Sequence, residues 1–463
     1  MSRSRVMIVG TNSGCGKTTV TCAIMKALMN QGLKVAPFKC GPDYIDPMFH
    51  KHITGQPSIN LDLFFLEKDR LNWLLNNHLQ GSDIGIIEGV MGMYDGIGTT
   101  AKASSFDVAV STNTPMILVV NARGMSVSLA AMIKGYKDYG GSDLVKGFIL
   151  NNVGKGTYMF LKKTIEEQTG VSVLGYFEKQ EKAVIESRHL GLITAQEIQD
   201  LDEKVEILAQ AAEKSIDFKA LKAIADSADA GASYKPERMP FEAAIEGAAA
   251  GTKVKLAVAM DKAFCFYYED NLNLLQKIGV EILPFSPLHG DEVPKEADGI
   301  YLGGGYPEVY AGELSKKLWP KLSIRHCYSM HMPILAECGG FMYLHENIED
   351  LEGHTYQMVG LIPGTAKLTK KLGPFGYVDI TPKKDSMLGE AGAVIKGHEF
   401  HYSVSDNAGS DFTVSKTGGK SWEEGHAGDY FYGGYPHLYL YSRIESALSF
   451  KKAMIKYHKR SLE

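Results

Sequence analysis

A short apolar stretch, residues 6–9, runs directly into Gly10-Thr11-Asn12-Ser13-Gly14-Cys15-Gly16-Lys17-Thr18-Thr19, and residues 20–28 behind it suit a helix. A strand that ends in a glycine-rich turn and re-enters a helix brings backbone N–H groups and a positive helix end onto one anion. Gly14 and Gly16 let the backbone approach phosphate oxygens. Lys17 can neutralise charge on the terminal phosphates, and Thr18, followed by Thr19, can ligate Mg²⁺. The junction therefore predicts ATP as co-substrate and an α/β fold around it. Thr11 stands where the strict pattern has its first glycine, with Gly10 one residue early, so the loop is a stretched form.

A chain of 463 residues is long for one core, so two domains are expected. Its net charge of −5 gives no electrostatic reason to expect nucleic acid or an anionic membrane as partner. Cysteines at 15, 22, 40, 265, 327 and 338 show no paired metal spacing. That scatter implies a reducing compartment. With no secretory apolar region and no run long enough to cross a bilayer, a cytoplasmic protein is expected.

Strand-like runs at residues 6–9, 34–38, 84–87, 116–120 and 147–150 alternate with helical patterns such as 70–79 and 128–139. That alternation predicts a parallel sheet covered by helices, with ligands gathered at the carboxyl ends of the strands. Residues 225–252 are rich in Ala, Gly and Ser and read as a linker. A second α/β pattern follows, with strands expected at 254–260, 281–284, 299–302 and 333–337. The expected division is an ATP-binding domain at 1–224, a linker at 225–252 and a second domain at 253–463.

Several polar residues fall at predicted strand ends of the first half. Lys39-Cys40-Gly41-Pro42-Asp43-Tyr44-Ile45-Asp46-Pro47 follows the second strand, and Gly and Pro mark it as a loop presenting Asp43 and Asp46. Glu88 closes the 84–87 strand, where a carboxylate beside a phosphate loop can hold Mg²⁺ directly or through water, and Asp43 and Asp46 can complete the metal's surroundings or order the acceptor. An isolated Asp in such a loop is ordinarily a turn former, but three carboxylates at successive strand ends favour a site. Asp95 lies in an Asp-Gly pair, itself a common turn signal. Asn151, ending the 147–150 strand, is either an adenine contact or a strand-end cap.

In the second half, Ala336-Glu337-Cys338-Gly339-Gly340 sits between a strand and the apolar residues 341–344. A cysteine on such a turn is expected to be exposed, with the helix end favouring its thiolate. Neighbouring N–H groups, starting with that of Gly339, can form an oxyanion hole for acyl transfer. The run Tyr301-Leu302-Gly303-Gly304-Gly305-Tyr306-Pro307-Glu308 supplies a second glycine loop that can complete it. Candidate bases are His437, His398 and His401.

With both halves read, the chain resembles the cobyrinic acid a,c-diamide synthases, the glutamine-dependent corrinoid amidotransferases. The resemblance covers nearly the whole length and rests on residues 10–19, 39–47, 88–96, 188–192, 264–271, 301–310, 336–344 and 397–403. It implies an N-terminal P-loop, dethiobiotin-synthetase-like parallel-sheet domain, and the stretched phosphate loop suits that branch. It also implies a C-terminal class I glutamine amidotransferase-like α/β domain. By this likeness Cys338 is the nucleophile that takes L-glutamine, His437 its general acid/base, and Gly304, Gly305 and Gly339 the oxyanion loop. Asp43, Asp46, Glu88 and Asp95 belong to the ligase site that acts on cobyrinic acid with ATP and Mg²⁺, and Tyr44 and Ile45 lie near the acceptor ring.

The chain departs from the family at two points. Asn151-Asn152 replaces the frequent Asn-Arg, and His437-Leu438-Tyr439 lacks the acid that many class I glutaminases carry two residues after the His. The third triad member is therefore open. So is the oligomeric state, with a homodimer one option. The nickel-sirohydrochlorin a,c-diamide synthases share these motifs and are the alternative reading. Cobyric acid synthases lack the 40–47 loop. A P-loop switch protein is the reading from another class, and the cysteine elbow argues against it.

Overall fold

The computed structural model describes residues 4–184, 187–188, 191–192, 194–195, 197–228 and 239–461. The motif at 188–192 lies partly outside the described residues. The chain divides into two compact units, Met1–Glu237 and Arg238–Glu463. Among the described residues no helix is long and apolar enough to cross a membrane.

The first unit is built on seven strands: β1 (Arg5–Gly10), β2 (Val35–Cys40), β3 (Ile59–Leu61), β4 (Ile84–Glu88), β5 (Met116–Asn121), β6 (Val145–Asn151) and β7 (Ser172–Phe177). They lie in the order β3-β2-β4-β1-β5-β6-β7, every neighbouring pair parallel. In β1, Val6, Met7, Ile8 and Val9 are wholly buried. Each such side chain contributes about 1.5–3 kcal/mol relative to exposure, which explains a strand without polar alternation. Register places Ile8 and Lys39 opposite Glu88 on its two sides. The loops after β1 and β2 and the end of β4 therefore share one edge of the sheet.

Three helices differ from the expected loop and linker. Ile45–Thr54 is helical although Pro47 falls within it. Proline is tolerated there because an N–H in the first turn of a helix has no carbonyl within the helix to donate to, so its lack costs nothing. The segment expected as a linker is helical at both ends, in Phe218–Ser227 and Pro240–Ala250. Alanine, which suggested looseness, is the strongest helix former, and Pro240 starts the second helix. Phe241 and Ile245 of that helix are buried. Lys451 Nζ donates to its Ala248 carbonyl at 2.7 Å, so the helix belongs to the second unit.

The second unit holds a six-stranded sheet. Its order is Val280–Phe285, Val254–Ala259, Gly299–Leu302, Ile334–Glu337, Phe431–Gly434 and His426–Gly428, parallel except for the last strand. Between Ile334–Glu337 and Phe431–Gly434 the chain makes a β-rich excursion that the helix–strand alternation did not predict. Its strands Ser421–Glu424, Phe412–Ser415, Phe375–Pro382 and Ile395–Phe400 form an antiparallel sheet, which the two-residue strand His437–Leu438, beyond Phe431–Gly434, joins at one edge. In that sheet His437 lies opposite His398.

Candidate functional site

In the first unit the glycine-rich turn leads into the helix Lys17–Asn30, with Gly14 at φ 79° and Gly16 at φ 93°. Both angles lie in the left-handed region open to glycine. Gly16 is fixed further by contact, since a Cβ there would sit 1.9 Å from Asn151 Nδ2. That amide donates to the Cys15 carbonyl at 2.8 Å, so Asn151 locks the turn from the end of β6. Thr19 follows Thr18 in the first turn of the helix, partly exposed.

Beside the turn lies a cluster of buried charge. Glu88 Oε1 accepts from Thr18 Oγ1 at 2.6 Å and from Lys39 Nζ at 3.2 Å, with Lys17 Nζ at 3.7 Å. Glu88 Oε2 meets His50 Nε2 at 2.8 Å. Lys39 also donates to Asp46 Oδ2 at 2.5 Å and to the Gly89 carbonyl at 3.0 Å. Thr18 Oγ1 lies 3.4 Å from the same Asp46 oxygen. Burial alone would raise the Glu88 carboxyl, but Lys39, the His50 hydrogen bond and Lys17 hold it well below the usual range. Burial likewise opposes the Lys39 charge, yet Asp46, Glu88 and Asp43 raise the ammonium above its ordinary value. Asp46 is pushed up to about 8 by burial and by Asp43 and Glu88, a rise that the Lys39 contact opposes.

Asp43 has a second task. Its Oδ1 accepts from the Ile45 and Asp46 N–H groups at 2.8 and 3.1 Å, which starts the Ile45–Thr54 helix. Its Oδ2 lies 3.9 Å from Lys39 Nζ. Tyr44 precedes that helix, partly exposed, and Ile45 opens it, buried. Asp95 is exposed and accepts from the Gly92 N–H at 2.9 Å, as a turn former does. Thr18 and Glu88 offer hard oxygen donors 2.6 Å apart beside a phosphate-binding turn. That donor set fits Mg²⁺, which is bound by one or two protein oxygens together with water and substrate phosphates. Among the described residues no group of three His, Cys, Asp or Glu is arranged to hold a metal.

Lys39 and His50 were not singled out from the sequence. A lysine closing an apolar strand is costly unless paired, and two aspartates follow it, so a signal existed. His50 lies four residues after Asp46 and so on the same helix face, a relation hidden while Pro47 suggested a loop.

In the second unit Cys338 stands between the strand Ile334–Glu337 and the helix Gly339–Leu344 at φ 46° and ψ −103°. That is a strained conformation for a residue with a side chain. The elbow is tied down where the Cys338 N–H donates to the Gly434 carbonyl at 2.8 Å and the Gly340 N–H to Gly303 at 2.9 Å. Two expectations fail here. Cys338 is buried, only 6% exposed. Burial, then Glu308 and Glu399, push its thiol far up, and the Gly339 N–H offsets this only in part. A helix of six residues presents too small a dipole to outweigh desolvation and carboxylates. A thiol so placed needs a base.

The glycine loop lies against both that elbow and His437. A Cβ on Gly304 would sit 2.2 Å from His437 Cε1, and one on Gly339 would sit 3.1 Å from Gly305 N. Gly305 has φ 151°, and a Cβ there would meet the Ala263 carbonyl at 2.2 Å. The Gly304 carbonyl accepts from the Cys265 and Phe266 N–H groups, each at 3.0 Å, which fixes the loop. His401 is committed elsewhere, with Nε2 on Glu399 at 2.7 Å, Nδ1 on the Ser403 carbonyl at 2.8 Å and its ring stacked on Tyr435. Burial, then His437 and Lys416, lower His398 to about 3.

Residues 6–192 match the CobQ/CobB/MinD/ParA nucleotide binding domain, and residues 255–444 match the CobB/CobQ-like glutamine amidotransferase domain. The cobyrinate a,c-diamide synthase of Thermoplasma volcanium is 41% identical over 99% of both chains. Its counterpart in Thermoplasma acidophilum is 42% identical over 96% of this chain and 98% of its own. That of Listeria monocytogenes is 39% identical over 95% and 97%. A phosphate loop with buried carboxylates in one unit, a cysteine elbow in the other and full-length likeness to these enzymes lead to one conclusion: the chain belongs to the cobyrinate a,c-diamide synthase family.

Proposed function

We propose that this chain converts the a and c side-chain carboxylates of cobyrinic acid into amides, using ATP and glutamine. The observation that carries this is the pairing of a cation-lined phosphate loop in the first unit with a strained cysteine elbow in the second, beside a glycine loop that packs against His437. A carboxylate is a poor electrophile towards ammonia. Phosphorylation by ATP turns it into an acyl phosphate with ADP released, and ammonia then displaces inorganic phosphate to leave the amide.

In the first unit Lys17 and the loop N–H groups bind the phosphates, and Lys39 balances the charge of Asp46 and Glu88 and of the incoming carboxylate. Thr18 and Glu88 are the residues that would hold Mg²⁺, which when bound shields charge on the transferring phosphoryl group. Asp43 and Asp46, with Tyr44 and Ile45, border the acceptor. Asn151 gives one of its two amide N–H donors to the loop, which leaves its second N–H and Oδ1 to meet adenine. In the second unit Cys338 attacks the side-chain amide of glutamine, His437 accepts the thiol proton and passes it to the departing ammonia, and water releases glutamate from the thioester. Gly304, Gly305 and Gly339 line the developing oxyanion.

The test is a mass-spectrometric amidation assay with ATP, Mg²⁺ and glutamine, offering cobyrinic acid and nickel-sirohydrochlorin separately. Two successive amidations of cobyrinic acid with ADP as co-product are expected. Turnover of the nickel compound alone would replace the acceptor, and AMP as co-product would replace the acyl phosphate with an adenylate.

A further inference from the structure

The residue before the nucleophile, Glu337, is 1% exposed and closes the Ile334–Glu337 strand. A buried carboxylate is unfavourable unless donors hold it. Here Oε2 accepts from Tyr301 OH at 2.8 Å, and Oε1 accepts from the Leu438 N–H at 3.0 Å. The same Oε2 lies 3.6 Å from His437 Nδ1. Burial and Glu337 itself raise the Tyr301 phenol well above its ordinary value, so that hydroxyl stays a donor.

The chain on the far side is fixed as well. Asn271 Nδ2 donates to the Leu438 carbonyl at 2.7 Å, while its Oδ1 accepts from the Leu440 N–H at 2.8 Å. The imidazole of His437 thus lies between the Glu337 carboxylate, 3.6 Å from Nδ1 as an ion-pair distance, and the Gly304 backbone at its Cε1–Nε2 edge.

We infer that Glu337 is the positioning residue of the glutaminase centre, filling the role of the third triad member from the position directly before the nucleophile. This rests on the reading that Cys338 and His437 hydrolyse glutamine. When Nε2 takes the Cys338 proton, the resulting imidazolium presents Nδ1–H to the carboxylate. The sulfur–carbon bond forms, the proton passes from Nε2 to the leaving nitrogen, and Glu337 neither gains nor loses one. In Glu337→Gln the amide can still accept from Leu438. Its NH₂ group facing Nδ1 favours the tautomer with the proton on Nε2, which blocks the base. A structural role would accept this near-isosteric change.

The experiment measures covalent labelling of Cys338 by a diazoketone analogue of glutamine, followed by mass spectrometry, together with glutamine kinetics and thermal unfolding. Glu337→Gln should label about 10²-fold or more slowly, with kcat for glutamine falling while KM stays within about threefold of wild type. Tyr301→Phe, which only loosens the carboxylate, should slow labelling about fivefold. Labelling of a folded Glu337→Gln at the wild-type rate would overturn the inference. Should that variant not fold, Glu337→Asp takes its place, and a wild-type rate there counts equally against it. Wild-type labelling of His437→Ala would instead overturn the reading on which the inference rests.

Discussion

Glu88 and Cys338 are both buried, yet their surroundings are electrically opposite. Glu88 is met by Thr18, Lys39, His50 and Lys17, so its negative charge is in place before any ligand arrives. At Cys338, by contrast, burial first keeps the thiol neutral, and the carboxyl groups of Glu308, Glu399 and Glu337 act in the same sense. A site that receives phosphates needs its cations preset, because desolvated anions cannot wait for compensation. A site that makes a nucleophile on demand is better served by a neutral thiol beside a base, since a standing thiolate is open to oxidation and alkylation. The two halves of this enzyme thus place their stored energy differently, in ion pairs on one side and in backbone strain at φ 46° on the other.

Removing the preset charge should have the largest effect. Lys39→Met leaves Asp46 and Glu88 without their shared cation, and breaking such a buried pair costs about 3–5 kcal/mol. Amidation should fall at least about 10²-fold with glutamine and with ammonium alike, and the unfolding midpoint should drop. Normal turnover in an ammonium assay would show that the first site does not depend on preset charge.

Next in size is Gly304→Ala, whose Cβ would collide with His437 at 2.2 Å. Glutamine-dependent turnover should fall about tenfold or more while ammonium-dependent turnover stays. Equal loss with both donors would break the separation of the two sites.

The smallest effect concerns pH and a buried patch of the second unit. Burial pushes Glu399 up to about 8, and burial and Glu399 push Glu424 up to about 8. The folded protein therefore holds protons that the unfolded chain releases above an ordinary carboxyl value of 4.5. The stability from these groups is complete at low pH and is lost as pH rises through about 8. His398 and His401, lowered to about 3 and about 4 chiefly by burial, act in the opposite sense but only below 6.5. Between pH 6.5 and 8.5 the unfolding midpoint should thus decline by about 2–4 °C, and Glu399→Gln should flatten that decline. A midpoint that rises over this interval in the wild type would contradict the assignment.

What the sequence made legible follows the same division. Gly14, Gly16, Lys17 and Thr18 are contiguous, so the phosphate loop is written in one place, and the elbow at Cys338 is nearly as local. His50 and Glu337 were not assigned because their roles come from residues far along the chain, Glu88 for His50 and Tyr301 and Leu438 for Glu337, whereas Lys39 had Asp43 and Asp46 close by. Asp43 and Asp46 were visible, but the helix joining them was concealed by Pro47. The antiparallel excursion carrying Ile395–Phe400 mixes buried and partly exposed residues, a pattern too weak to separate from loops before pairing is known. The sequence suggests a favoured thiolate at Cys338 and misses the neutral thiol, since burial, Glu308 and Glu399 act on it only in the fold.

The most direct test of the division of labour is Cys338→Ser assayed on cobyrinic acid with ATP, Mg²⁺ and either glutamine or ammonium. Amidation with ammonium at the wild-type rate, and none with glutamine, is the predicted result. Loss of both activities in a folded variant would contradict two separate sites joined only by ammonia.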